Sequence, residues 1–172
     1  MRPIEKWIWL PEDKYPNNQR PKLNCIQGGK GDAYTVAAFS RRYELKKSIK
    51  SVKLRFSGDS TFRLFTEGDN GRLLVAMGPA SQGGDFLYLK KPFPNYYSYV
   101  TELDAHGDLE QPFSRGELSL YAEVQMNPST LFMFSRGHGG FMLTAEVTFE
   151  NGEKTVLMTN ETWKAKKLGA YC

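Results

Sequence analysis

The amino-acid sequence predicts an all-β fold, an antiparallel β-sandwich of jelly-roll type, and three observations carry that expectation. Long stretches alternate apolar and polar residues with a period of two. Clusters of Gly with Asn or Asp separate those stretches where tight turns are needed. No window of a dozen residues places apolar positions at i, i+3, i+4 and i+7, which argues against βαβ architectures and their phosphate-binding switch points.

Taken in order, the first candidate strand is Ile4 to Leu10, where Trp7 and Trp9 flank Ile8 and are expected on one side. Residues 11–33 hold Pro16, Pro21, Gly28, Gly29 and Gly31 and read as an irregular surface arm. Tyr34 to Leu45 follows as a strand. In the next, Val52, Leu54 and Phe56 alternate with Lys53 and Arg55, and Ser57 to Ser60 reads as the turn that ends it. Thr61 to Glu67 and Arg72 to Met77 flank Gly68-Asp69-Asn70-Gly71, a hairpin signature. Residues 80–97 form a long aromatic loop with Gly83, Gly84, Pro92 and Pro94, and loops of that length in compact domains tend to be functional.

Ser98 to Leu103 is a shorter strand candidate. Leu118 to Met126 and Phe141 to Phe149 carry the clearest alternation, each with one apolar and one wetter face. Glu150-Asn151-Gly152-Glu153 then predicts a hairpin to Lys154–Asn160. The total is about nine strands packed on a shared core.

With 172 residues the chain is expected to be a single domain over 1–172. Hydrophobic residues make up 40%, charged residues 24%, and mean hydropathy is −0.51, the profile of a globular chain and not of a disordered one. The longest apolar run, Leu73 to Met77, is far short of a membrane-spanning helix. Glu5, Lys6, Glu12, Asp13 and Lys14 crowd the start, so no signal peptide is legible and a cytoplasmic location is expected. Cys25 and Cys172, at opposite ends of the chain, suit neither a disulfide framework nor a metal site. The net charge of +4 comes from 23 basic and 19 acidic side chains interspersed along the sequence, without the basic stripe or module that nucleic-acid binding needs.

Catalytic signatures fail on inspection. Gly28-Gly29-Lys30-Gly31-Asp32 lacks the spacing and the Lys-Ser/Thr pair of a phosphate-cradling loop. Gly137-His138-Gly139-Gly140 has Met142 where a dinucleotide fingerprint needs its third glycine. His106 and His138 are the sole histidines, too few for a zinc site of usual composition. Asp104 to Asp108 could offer oxygens to calcium, yet the spacing matches no defined calcium loop, so no cofactor is expected. Paired carboxylates for glycoside hydrolysis cannot be identified from linear order. Nothing points to a catalytic residue in this chain.

Aromatic side chains, 13% of the chain, are more informative, because flat rings stack on sugar faces while polar neighbours bond the hydroxyls. Tyr96, Tyr97 and Tyr99 after Pro92-Phe93-Pro94-Asn95, with Arg136 and His138 in the glycine-rich turn, are the candidate carbohydrate contacts. Trp7 and Trp9 are candidates for an inter-domain patch.

The linear order of several segments resembles the N-terminal β-sandwich of bacterial α-L-rhamnosidases, glycoside hydrolase family 78. The carriers are Trp7-Ile8-Trp9, Ala38 to Leu45, Val52 to Asp59, and Phe62 to Phe65 with Asn70-Gly71-Arg72 and Gly78-Pro79. Gly139 to Leu143 and Thr159-Asn160-Glu161-Thr162-Trp163-Lys164 complete the match. The sequence departs from the family where Thr66 to Asp69 lengthens a hairpin and Asn160 replaces an acidic residue. The resemblance implies a galactose-binding-domain-like jelly roll that precedes a catalytic (α/α)6 barrel, and no catalytic residue carries over. It implies a noncatalytic accessory domain of a longer glycoside hydrolase, one that supports the barrel, its partner, and binds rhamnose-containing glycans. The competing expectation is a stand-alone lectin-like or structural interaction module. Neither involves nucleic acid or membrane.

Overall fold

The computed structural model describes residues 7–10, 35–59, 61–68, 71–79, 99–104, 116–126 and 140–168. Nine strands run through them: β1 (Thr35–Glu44), β2 (Ile49–Asp59), β3 (Thr61–Gly68), β4 (Gly71–Pro79), β5 (Tyr99–Asp104), β6 (Glu117–Met126), β7 (Gly140–Phe149), β8 (Lys154–Met158) and β9 (Lys164–Leu168). One sheet has the order β4-β3-β6-β1-β9 and the other β5-β2-β7-β8, with every pairing antiparallel. The expected all-β sandwich is therefore the observed one, and no helix occurs among the described residues.

The alternation read from the sequence sets the faces. Leu118, Leu120, Ala122 and Val124 of β6 turn inward with Phe62 and Leu64 of β3, and meet Val52, Leu54, Phe56, Leu143, Ala145 and Val147 from the other sheet. Each large side chain buried there is worth roughly 1.5–3 kcal/mol, so the core supplies the main favourable term. Thr35 to Phe39 of β1 are buried in succession, so this part of the strand is covered on both faces.

Both predicted hairpins form. Gly68 pairs with Gly71 across the β3–β4 connection, and Thr148 pairs with Lys154 across the β7–β8 turn. In the latter, Gly152 has φ 83° and donates its N–H to Phe149 O at 2.9 Å. Asn151 Oδ1 accepts from Glu153 N at 3.1 Å, the local bond that makes Asn a turn residue.

Three expectations need correction. Ser57 and Gly58 do not form a turn: they continue β2, paired with Met142 and Phe141. A Cβ at Gly58 would lie 3.0 Å from Phe62 Cβ, so this glycine lets the chain cross closely from one sheet to the other. Residues 7–10 make only an isolated bridge, Ile8 to Phe141, with mutual N–H to O bonds of 2.9 Å. The two indoles also separate: Trp7 lies where a Cβ of Gly140 would point, and Trp9 packs on the core residue Phe39 at 5.8 Å. Finally, Lys164–Leu168, which lies beyond the last expected strand, is the edge strand β9 paired with β1. Pairing with a preformed neighbour outweighs its weak strand pattern.

Candidate functional site

The strand register brings one end of the sandwich into focus. Thr35 pairs with Met126, Thr61 with Gln125 and with Pro79, and Gly140 with Asp59. Tyr99, the first residue of β5, pairs with Phe56 near the end of β2, and Ile8 bridges Phe141 next to Gly140. The described residues that flank the stretches 11–34, 80–98 and 127–139 are thus Leu10, Thr35, Pro79, Tyr99, Met126 and Gly140, and all lie at this end. The opposite end has the short turns 45–48 and 150–153 and the residues Gly68, Gly71, Asp104 and Gly116. The end of a rigid sandwich from which long connections depart is the usual place for recognition.

Of the candidate sugar contacts, Tyr99 falls in β5 and marks this end. Tyr96, Tyr97, Arg136 and His138 lie outside the described residues, as do the arm 11–33 and the loop 80–97. Tyr97 stands two residues before Tyr99, and His138 two residues before Gly140. Tyr99 and Gly140 begin the strands on either side of β2, so standard strand spacing puts their backbones about 14 Å apart.

Trp9, an inter-domain candidate, joins an aromatic string that closes the core: Trp9 to Phe39 at 5.8 Å, Phe39 stacked on Phe141 at 5.6 Å, Phe141 to Trp163 at 5.7 Å and Trp163 to Tyr43 at 6.4 Å. Trp7 remains 40% exposed. The closing Thr159 to Lys164 segment is explained by local chemistry. Buried Thr159 extends the β7 ladder, donating its N–H to Leu143 O at 2.9 Å and accepting from Leu143 N at 3.2 Å on Oγ1. Asn160 Oδ1 accepts from Thr162 N at 2.9 Å, and the turn so formed drops Trp163 into the core. Arg41 Nη1 clamps the turn by donating to Thr162 O at 2.8 Å. Burial raises the Tyr43 hydroxyl's pKa, opposed by the Trp163 N–H and by Arg41.

Sequence reasoning missed one cluster on the outer face of the five-stranded sheet. Arg72 lies 3.5 Å from the centroid of the Tyr121 ring and donates Nε–H to Glu67 Oε1 at 2.6 Å. Phe65 is 5.9 Å from the same ring, and Tyr121 donates to Glu123 Oε1 at 3.2 Å. The odd positions of β6 in the alternation pointed at this face, but the pairing of β3 with β6 was needed to assemble it. Because Arg72 covers Tyr121, the ring is occupied by the protein itself. Among the described residues no three His, Cys, Asp or Glu side chains gather as metal ligands, and no helix is long and apolar enough to cross a membrane.

This architecture defines the chain as an antiparallel β-sandwich domain, and similar sandwiches occur in solved structures of lectins and of α-L-rhamnosidases. The lectin of Pleurotus ostreatus matches over 94% of this chain and 34% of its own, with TM-score 0.57 and 13% identity. The α-L-rhamnosidase of Streptomyces avermitilis, solved with L-rhamnose, matches over 95% of this chain and 12% of its own, with TM-score 0.52 and 15% identity. That of Aspergillus terreus gives TM-score 0.51 at 15% identity, covering 80% and 15%. The chain thus spans about a third of the lectin and a smaller part of the enzymes. No family model and no curated protein matches it.

Proposed function

We propose that the domain is a noncatalytic carbohydrate-binding module that serves a rhamnosidase-like glycoside hydrolase, supporting the catalytic barrel and holding rhamnose-containing glycan. One observation carries the reading: β5 begins at Tyr99 and β7 at Gly140 on either side of β2, at the end where the long connections depart. Tyr96 and Tyr97 stand three and two residues before one strand, and Arg136 and His138 four and two residues before the other. On this reading aromatic faces from one segment stack on, and donors from the other bond, one short oligosaccharide. The likeness to rhamnosidase sandwiches, one of them from an L-rhamnose complex, supports the sugar.

A second reading, a stand-alone lectin-like module, is favoured by the lectin likeness, which includes a complex with GalNAc. Titration of the 15N-labelled chain with L-rhamnose, rhamnosyl oligosaccharides and GalNAc separates the readings. Saturable amide shifts at Tyr96, Tyr97, Arg136 and His138 with the rhamnosides alone support the accessory module. Shifts with GalNAc alone transfer the case to the lectin. An Ala substitution at Tyr97 should cost about 1 kcal/mol or more of affinity without lowering Tm. No response to any sugar at millimolar concentration defeats both.

A further inference from the structure

The two edges of the five-stranded sheet are guarded very differently. β9 ends the sheet with Lys164, Lys166 and Lys167, all exposed, and β1 sets only Ala37, Ala38 and Ser40 opposite them. Edge lysines discourage pairing with another strand, since two such edges would repel. β4, at the other edge, spans nine residues and among the described residues pairs only with β3. It exposes Leu73 (37%), Leu74 (46%) and Met77 (63%). Its one charge, Arg72, is turned back onto Tyr121 and Glu67. A long apolar edge without a guarding charge is a template for strand addition.

We infer that β4 is a self-association edge, on which a second copy of this chain adds its own β4 antiparallel to form one continuous sheet. The charge pattern selects that occupant: β9 of another copy would bring lysines onto an apolar edge, whereas β4 brings a neutral one. A twofold axis at Val75 sets Leu74 against Ala76 of the second copy, Leu73 against its Met77 and Arg72 against its Gly78, so no like charges face each other. Val75 is also the extra residue of a bulge, since Leu64 pairs with Ala76 and Phe65 with Leu74. The axis therefore leaves an unbroken run on each side of the bulge. Such a contact is isologous and closes at two copies. It is independent of the sugar-binding proposal.

Sedimentation velocity of the purified chain from micromolar to submillimolar concentration tests it. The expected result is reversible conversion from 19.6 kDa to twice that mass. Leu74→Lys and Met77→Lys each place two lysines on the seam and should weaken the dimer at least about tenfold. Both sites are exposed, so circular dichroism and Tm should be unchanged, and two variants guard against one failing to fold. Lys166→Glu on β9 should leave the dimer as it was. A chain that stays monomeric, a dimer insensitive to both β4 variants, or growth beyond two copies would overturn the inference.

Discussion

The Trp163 indole donates its N–H to the Tyr43 hydroxyl at 3.0 Å and to the Met158 carbonyl at 3.3 Å, tying the loop before β9 to β1 and to the end of β8. This one side chain thereby links both sheets, and it belongs to the aromatic string that runs from Trp9 to Tyr43. Trp163→Ala should cost about 3–5 kcal/mol, the range for deleting a large buried aromatic ring. Trp163→Phe keeps most of the packing but removes both bonds, leaving the Met158 carbonyl with only the 3.5 Å bond from the Tyr43 hydroxyl, for a loss of about 1–3 kcal/mol. Urea unfolding of the two variants measures both. Equal losses would mean that ring packing contributes little, and a Phe variant as stable as the parent would mean that the hydrogen bonds do.

The same burial makes stability fall at high pH. Desolvation raises the Tyr43 pKa, and burial with neighbouring Glu123 raises that of Tyr121. A raised pKa means the folded state holds its proton more tightly. The stabilising contribution is full below the ordinary tyrosine pKa of about 10 and is lost as pH rises through the folded value. Tm measured upward from neutral pH should therefore drop beyond about pH 10, and Tyr43→Phe should flatten that drop. An unaltered alkaline profile in the variant would remove Tyr43 as its cause.

Gly140 is constrained by space. A Cβ there would lie 2.6 Å from Trp7 Cε3, so Gly140→Ala must displace the indole, at about 1–3 kcal/mol. In Trp7→Ala/Gly140→Ala the clash is gone, and a double-mutant cycle should return a coupling of similar size and opposite sign. Additive losses would show that Trp7 does not rest on Gly140 in solution.

Gly152 is constrained by backbone angle instead. Nothing lies within 4 Å of its would-be Cβ, yet φ is 83°. Gly152→Ala should cost about 1 kcal/mol through strain alone, and Gly152→Asn less, because Asn tolerates the left-handed region. Thermal unfolding distinguishes them, and an Asn variant no better than Ala would contradict the strain account.

What the sequence determined by itself was the β-sandwich: its alternations chose the buried faces of β2, β6 and β7, and Asn151-Gly152 chose its turn, because period and turn chemistry act over a few neighbouring residues. Other features needed the tertiary structure. Lys164 to Leu168 is a strand because β1 offers a ladder, Ser57-Gly58 stays in β2 because β7 pairs with it, and Trp7 parts from Trp9 because only Ile8 is bridged. The aromatic residues of the candidate site were legible as composition, but that Tyr99 and Gly140 begin strands at the same end was not. Strand order and register decide which distant segments share an end, and these arise from pairings between residues as remote as Thr35 and Met126, which no local pattern encodes.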